Sequence, residues 1–386
     1  MKLKLPEDVR RMLQRRFENN HRDWLVAGGE SWPQEFALGV PTEQEALRQV
    51  DGVRAWVTAW QEWCGSGALT FCERRWNSLG LQRLPEKLVL QTPEEVAFWI
   101  GEGARWSRAL KRYRELIGRW GALAGPLARY FAVLADYCDE DYLRISDMVS
   151  WIVSHPESGL YPRQLPVYGL DSKWLEGRKG LIGDLVAAIL NGKGRDGDFY
   201  QRCGLQAPPL LIRMRVLDQG LRSRVGGLSD ITAPVEDLAA LDFPASRVFI
   251  VENLQTGLAF SDIPGAVVFM RLGYHVDVLA RIPWISRARC TYWGDIDTHG
   301  FAILSLARSH LGNLESVLMD EEILLSHEAL WVKEKEQHGS PEQALLTVSE
   351  QAVYAGLKQQ RRGQNVRLEQ ERIPWVVAWQ QLQETR

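Results

Sequence analysis

Three carboxylates stand where short apolar runs give way to polar chain. Arg247 to Val251 is followed by Glu252 and Asn253, and Arg289 to Gly294 is followed by Asp295, Ile296, Asp297, Thr298, His299 and Gly300. Runs this short, rich in β-branched and aromatic residues, read as strands buried on both faces of a parallel sheet. In an open parallel sheet the loops beyond the carboxyl ends of the strands converge on one crevice, so Glu252 and the two aspartates are predicted to share a site. Alternation along the extended chain puts Asp295 and Asp297 on one side and Ile296 on the other, in apolar packing. Like charges a few ångströms apart repel unless a cation sits among them, and hard oxygen ligands select Mg²⁺ or Mn²⁺. Glu252, Asp295 and Asp297 are therefore read as both the catalytic and the metal-ligating set. Gly300 opens a helix whose free N–H groups suit phosphate oxygens. His299 reads as a supporting or packing residue, because a hard ion prefers oxygen to imidazole. Acidic residues after a strand also cap helices, and a D-x-D opening belongs to phosphatases that use the first aspartate as nucleophile. The second alternative is disfavoured by His299 at the fifth position and by a preceding strand that ends in its own glutamate.

The elements that must position these groups fall into three stretches. Residues 1–154 read as a mostly helical domain with a β-like interruption from Leu69 to Gln91. Within it Thr42 to Trp63 carries Ala46, Val50, Val53, Trp56, Val57 and Trp60 at helical spacing, with Thr42 as N-cap. Trp106 to Arg119 brings Arg108, Lys111, Arg112, Arg114 and Arg119 against Glu115 alone, a basic face open to two readings, solvated surface or phosphate contact. Residues 155–235 are short elements joined by Gly, Pro and Asp. There the helix Lys179 to Leu190, the loop from Asn191 to Asp198 and the extended run Leu210 to Asp218 would suit a winged-helix module. Residues 236–386 alternate strand and helix and are predicted to form an α/β domain around a parallel sheet, with two or three helices between Pro341 and Gln383. The fold class expected is thus α+β and multidomain.

Composition narrows the function classes. The 386 residues are 45% hydrophobic and 25% charged, which is globular and excludes collagen-like or disordered chains. A net charge of −3 removes the argument that an overall basic protein binds nucleic acid, so an anionic partner must be met by a local patch. Cys64, Cys72, Cys138, Cys203 and Cys290 are odd in number and widely spaced, and they read as reduced, buried thiols of a cytoplasmic protein. The charged start of the chain has no apolar leader-like run, no window approaches a membrane span, and no ATP-binding P-loop occurs.

A glutamate closing one strand and a later strand followed by D-x-D-x-x-G is the pattern of the Toprim domain of topoisomerases, primases and certain nucleases. Val251-Glu-Asn-Leu-Gln-Thr, Trp293-Gly-Asp-Ile-Asp-Thr-His-Gly and Arg367-Leu-Glu-Gln-Glu-Arg-Ile-Pro resemble the JetD family of Wadjet plasmid-defence systems. So does Tyr161-Pro-Arg-Gln-Leu-Pro-Val-Tyr-Gly-Leu-Asp-Ser-Lys-Trp-Leu-Glu. The resemblance covers residues 155–386 well, and the N-terminal part matches the family's arm region by placement alone. It implies a DNA nuclease related to the topoisomerase VI A subunit, with a winged-helix (CAP-like) domain over 155–235 and Toprim over 236–386. It further implies Mg²⁺ or Mn²⁺, a homodimer with composite sites, double-stranded plasmid DNA as substrate, and an SMC-type motor complex (JetABC-like) as partner.

Relatives use a winged-helix tyrosine as nucleophile after an Arg-acidic-hydrophobic stretch. Here Arg163-Gln164-Leu165 is followed by Pro166 and Val167, so the tyrosine is missing from its place. Tyr161 and Tyr168 lie nearby and read as packing aromatics, with a shifted nucleophile as the alternative. Without a tyrosine the nucleophile is water and the reaction is hydrolysis. Arg163, Lys173 and the Trp106 to Arg119 face are the candidates for holding the DNA backbone, each equally readable as an ion-pair partner. Glu369, Gln370 and Glu371 either orient the site from behind or pair with Arg367 and Arg372. Two other functions stay open, a topoisomerase-like strand transfer and a non-catalytic DNA-binding scaffold.

Overall fold

The computed structural model describes residues 3–28, 30, 32–190 and 197–385. The first six residues of the loop read from Asn191 onward lie outside the described residues. The chain divides into two compact units, Met1–Pro208 and Pro209–Arg386.

The first unit packs helices around a three-stranded antiparallel sheet of β1 (Gln34–Ala37), β2 (Ala68–Trp76) and β3 (Gly80–Leu90), in the order β1-β3-β2. Its long helices are Pro6–Ala27, Gly103–Arg119, Asp139–Ser154 and Lys179–Ile189. The core is unusually aromatic, with Phe17 against Trp24, Trp106 and Phe131. The buried Trp56 and Trp60 both direct indole N–H groups to the Lys4 carbonyl, at 3.0 and 2.8 Å, satisfying the one polar atom each ring carries. The continuous helix read from Thr42 breaks at Gln49, giving Glu43–Arg48 and Val50–Gln61, because Gln49 leaves helical geometry. Thr42 does cap, in a reciprocal box with Glu45.

The second unit is built on a six-stranded sheet in the order β5-β4-β7-β6-β8-β9. The strands are β4 (Leu211–Val216), β5 (Asp230–Pro234), β6 (Arg247–Val251), β7 (Ala266–Met270), β8 (Arg289–Trp293) and β9 (Leu314–Ser316). From β7 to β9 the sheet is parallel, and β4 and β5 extend it as an antiparallel edge. β7 is buried at every position, as a strand covered on both faces must be. A small antiparallel pair, β10 (Val332–Lys333) with β11 (Val366–Arg367), lies beyond.

Three expectations are corrected here. The run from Leu210 to Asp218, read with the middle stretch, contains β4, which pairs with β5 and β7 of the larger sheet and so belongs to the second unit. The sheet is mixed where a parallel one was expected. Cys203 and Cys290 are buried, but Cys64 and Cys138 are exposed and Cys72 is half-buried, because the first and third lie in turns between elements; all five are free thiols. Among the described residues no helix is long and apolar enough to cross a membrane.

Candidate functional site

The site is assembled at the carboxyl ends of β6 and β8, which are neighbours in register from Arg247 opposite Arg289 to Val251 opposite Trp293. Glu252 is the first residue past β6. Asn253 caps the helix Leu254–Ala259, its side chain accepting the Thr256 N–H at 3.0 Å. After β8, Asp297 caps the helix Thr298–His310, its Oδ1 accepting the Gly300 N–H at 2.7 Å, a contact worth about 1 kcal/mol. Ile296 points the other way, fully buried, and its backbone makes an isolated antiparallel bridge to Leu368.

That bridge brings the segment after β11 onto the aspartates. The Gln370 N–H donates to Asp295 Oδ1 at 2.6 Å, and its side chain spans the two strand ends, donating to the Trp293 carbonyl and accepting from the Asn253 N–H. Asn253 Nδ2 donates to Glu371 at 2.6 Å. Glu369 accepts from Arg372 at 2.8 Å and lies 3.7 Å from Arg367. Both sequence readings of this segment hold together, since it orients Asp295 and also pairs its own charges. An open cleft of about 250 Å³ is lined by Glu252, Asn253, Asp295, Arg367, Glu369 and Glu371.

Two glycines allow the close approach. A Cβ at Gly294 would stand 2.2 Å from Glu252 Oε1, and one at Gly300 would stand 2.1 Å from the Asp295 carbonyl oxygen. No side chain fits either place.

Electrostatics mark the cleft as short of positive charge. Burial pushes the Glu252 carboxyl up to about 8, with the charges of Asp295 and Asp297 adding to the shift and the hydrogen bond from Tyr292, at 2.5 Å, opposing it. Burial likewise raises Asp297 to about 6, against the Gly300 hydrogen bond and with Glu334 and Asp295 adding repulsion. The one guanidinium among them, Arg367, donates to Asp295 Oδ2 at 2.5 Å and lies 3.1 Å from Asp297 Oδ2.

Among the described residues no group of three His, Cys, Asp or Glu side chains is arranged to hold a metal ion as it stands. Arg367 is the cation that contacts both aspartates, through Asp295 Oδ2 and Asp297 Oδ2. The donor set itself suits a hard divalent ion, being all carboxylate oxygen with more negative charge than one arginine balances.

A second shell of contacts escaped the sequence reading. Glu334, 3% exposed, accepts from the Thr298 N–H and hydroxyl and from the His299 N–H through one oxygen, while its other oxygen has no partner. Tyr274, half exposed, hydrogen-bonds His299 Nδ1 at 2.6 Å, and His299 Nε2 lies 3.2 Å from the Glu336 carbonyl. Burial and the nearby carboxylates hold the Tyr274 phenol up at about 12. Tyr292 and Tyr274 are legible only as a strand residue and a loop residue until the chain is folded, and nothing in the sequence marks Glu334.

The other predicted residues belong to the first unit. Arg163 lies in the turn Pro162–Gln164 and Lys173 in the helix Ser172–Glu176; both are exposed and make no ion pair among the described residues. Tyr161 and Tyr168 are 43% and 92% exposed, which corrects their reading as packing aromatics; Leu165, Val167 and Leu170 take the inward positions. The basic face from Trp106 is narrower than its composition, because Arg112 is buried against Asp139 at 2.5 Å and Arg108 donates to the Ala135 carbonyl. Lys111, Arg114 and Arg119 remain exposed.

Residues 6–187 match a family model described as the N-terminal part of an uncharacterized protein conserved in bacteria (DUF3322), and residues 204–382 match one described as the C-terminal part of the Wadjet protein JetD. No curated protein matches the chain. The second match spans all six strands of the larger sheet and every residue of the acidic cleft. The chain therefore belongs to the JetD family of Wadjet proteins.

Proposed function

We propose that this chain is a metal-dependent DNA endonuclease, the cutting subunit of an anti-plasmid Wadjet complex. The observation that carries the reading is the convergence of Glu252, Asp295 and Asp297 from the ends of adjacent parallel strands, where burial first and the charges of the two aspartates second raise the Glu252 carboxyl to about 8. Perturbed carboxylates in a cleft are a mark of functional sites. On this reading residues 209–386 contain a Toprim domain, Arg163 and Lys173 hold DNA backbone in a winged-helix part, and two copies of the chain place two cuts across one duplex. A separate SMC-type motor selects closed circular DNA, since no P-loop occurs here.

Glu252, Asp295 and Asp297 would hold Mg²⁺ or Mn²⁺, with Glu369 and Glu371 beside them. When bound, the ion supplies Lewis-acid polarisation of the scissile phosphate. The protein's own part is positional. Tyr292 fixes one oxygen of Glu252, the Gln370 N–H fixes one oxygen of Asp295, and the Gly300 N–H fixes one of Asp297. Arg367 holds the two aspartates in place in the metal-free chain. Water is the nucleophile, because the tyrosine expected after Arg163 is absent.

The test is incubation of supercoiled plasmid with the full chain and Mg²⁺ or Mn²⁺, with and without the motor complex, for wild type, Glu252→Ala and Asp295→Ala. Metal-dependent linear product, free of bound protein and absent with both variants, is the expected result. Product that stays attached to protein would favour strand transfer by a tyrosine, and cutting by both variants would overturn the site.

A further inference from the structure

A cation outside the acidic cleft has no structural employment. Arg271 follows β7 directly, and its N–H donates to the Val251 carbonyl at 3.2 Å, so its backbone is tied to the residue before Glu252. Its φ is +62°, in the left-handed region that favours glycine. Four non-glycine residues adopt such angles among the described residues, and Arg271 is the charged one. Its side chain is exposed and makes no hydrogen bond or ion pair among the described residues. An arginine kept at a glycine position, with no partner to justify it, points to something outside the chain.

Arg271 lines an open groove of about 330 Å³ with Ile212, Arg213, Thr232, Leu254 and Met270. The consecutive residues Asn253 and Leu254 line the acidic cleft and this groove respectively, so the two meet at the end of β6. Arg213 is already committed to Asp230 through two hydrogen bonds, at 2.8 and 2.6 Å. Arg271 is therefore the cation in the groove free to take an anion.

Resting on the nuclease reading, we infer that Arg271 is a positioning residue that grips a backbone phosphate of the strand being cut, one step along from the scissile group. A guanidinium suits this role because its planar fork meets two phosphate oxygens at once. The cleft needs such a grip, since a strand entering it must overcome the repulsion of its carboxylates. The left-handed turn aims the chain away from the strand direction just where β7 ends beside Glu252.

The test uses the full chain carrying Glu252→Gln, so that duplex stays intact, with Arg271, Arg271→Lys or Arg271→Gly added. Binding of a labelled DNA duplex is followed by fluorescence anisotropy across a range of salt. Glycine accepts the left-handed backbone without strain, so Arg271→Gly removes the guanidinium while leaving the melting temperature equal or higher. We expect Arg271→Gly to bind about tenfold more weakly, as for loss of one charge-assisted contact, with a salt slope shallower by about one; Arg271→Lys keeps the slope. In the Glu252 background, single-turnover cleavage by Arg271→Gly should slow in parallel. Equal affinity and equal slope for all three would overturn the inference while leaving the nuclease reading intact, provided wild type cleaves. Failure of wild type to bind or cut duplex would overturn both.

Discussion

Two glutamates in the second unit, Glu350 buried and Glu252 half-buried at the end of β6, show how differently one fold treats the same charge. Glu350, 4% exposed, receives both guanidinium nitrogens of Arg308 at 2.5 and 2.8 Å, the Thr347 N–H at 2.7 Å and the Ser316 hydroxyl. Those hydrogen bonds outweigh burial and hold its carboxyl below the ordinary range. Glu252 has the Tyr292 hydroxyl as its side-chain donor, too little to offset burial and the charges of two aspartates, which drive it up to about 8. A buried carboxylate with its partners supplied by the fold is architecture. One left among like charges costs stability, and a fold that retains it does so for a cation or substrate that comes from outside.

Substitution at the two positions should split the comparison most widely. Glu252→Gln is expected to lower metal-dependent cleavage by about a thousandfold while raising the melting temperature, because folding no longer has to hold a proton on a carboxyl that ionises freely in the unfolded chain. Glu350→Gln is expected to destabilise by about 2 kcal/mol, since the half-buried Arg308 loses its carboxylate and keeps only the Leu314 and Leu345 carbonyls, with cleavage per folded molecule unchanged. Denaturant melts and single-turnover assays on both variants measure this directly. Gly294→Ala should come next: a Cβ placed 2.2 Å from Glu252 Oε1 and 2.7 Å from the buried Tyr292 hydroxyl displaces that carboxylate, cutting activity about a hundredfold and lowering stability by about 1–3 kcal/mol.

Arg367 sharpens the comparison, being to the aspartates a removable version of what Arg308 is to Glu350. Arg367→Gln should tighten Mg²⁺ binding about tenfold by calorimetry, since the ion no longer competes with a guanidinium, and should weaken the metal-free fold. The smallest effect concerns pH. Glu252 and Asp297 have folded values raised above their unfolded ones, so the unfolded chain releases protons that the folded chain keeps. Their contribution is therefore full at low pH and is lost as pH rises, for Asp297 through about 6 and for Glu252 through about 8. Metal-free melting temperatures should fall across that window, and Glu252→Gln should flatten the upper part.

The carboxylates were legible in the sequence because strand ends announce themselves. Apolar runs ending in acidic residues placed Glu252, Asp295 and Asp297 on one edge, and the parallel order β7-β6-β8 is what brings those ends together. The division of the chain was harder to read. The run Leu210 to Asp218 has strand character, but nothing local says which sheet it joins, and its partners β5 and β7 both come later in the chain. Basic residues were the least legible class. Arg112 looks like surface charge beside Lys111 and Arg114 until packing turns its side of the helix inward, and Arg108, though exposed, is tied to the Ala135 carbonyl. Glu334 and Arg367 arrive through the small β10–β11 pair, a contact between segments with no sequence signature of its own.

The most direct measurement is the melting temperature of the full chain at pH 8 with and without Mg²⁺, for wild type and for Glu252→Gln. The account predicts a rise on adding Mg²⁺ for wild type, a smaller or absent rise for the variant, and a variant that is the more stable of the two without metal. Equal responses to Mg²⁺, with wild type the more stable in its absence, would contradict the claim that these carboxylates bind a divalent cation.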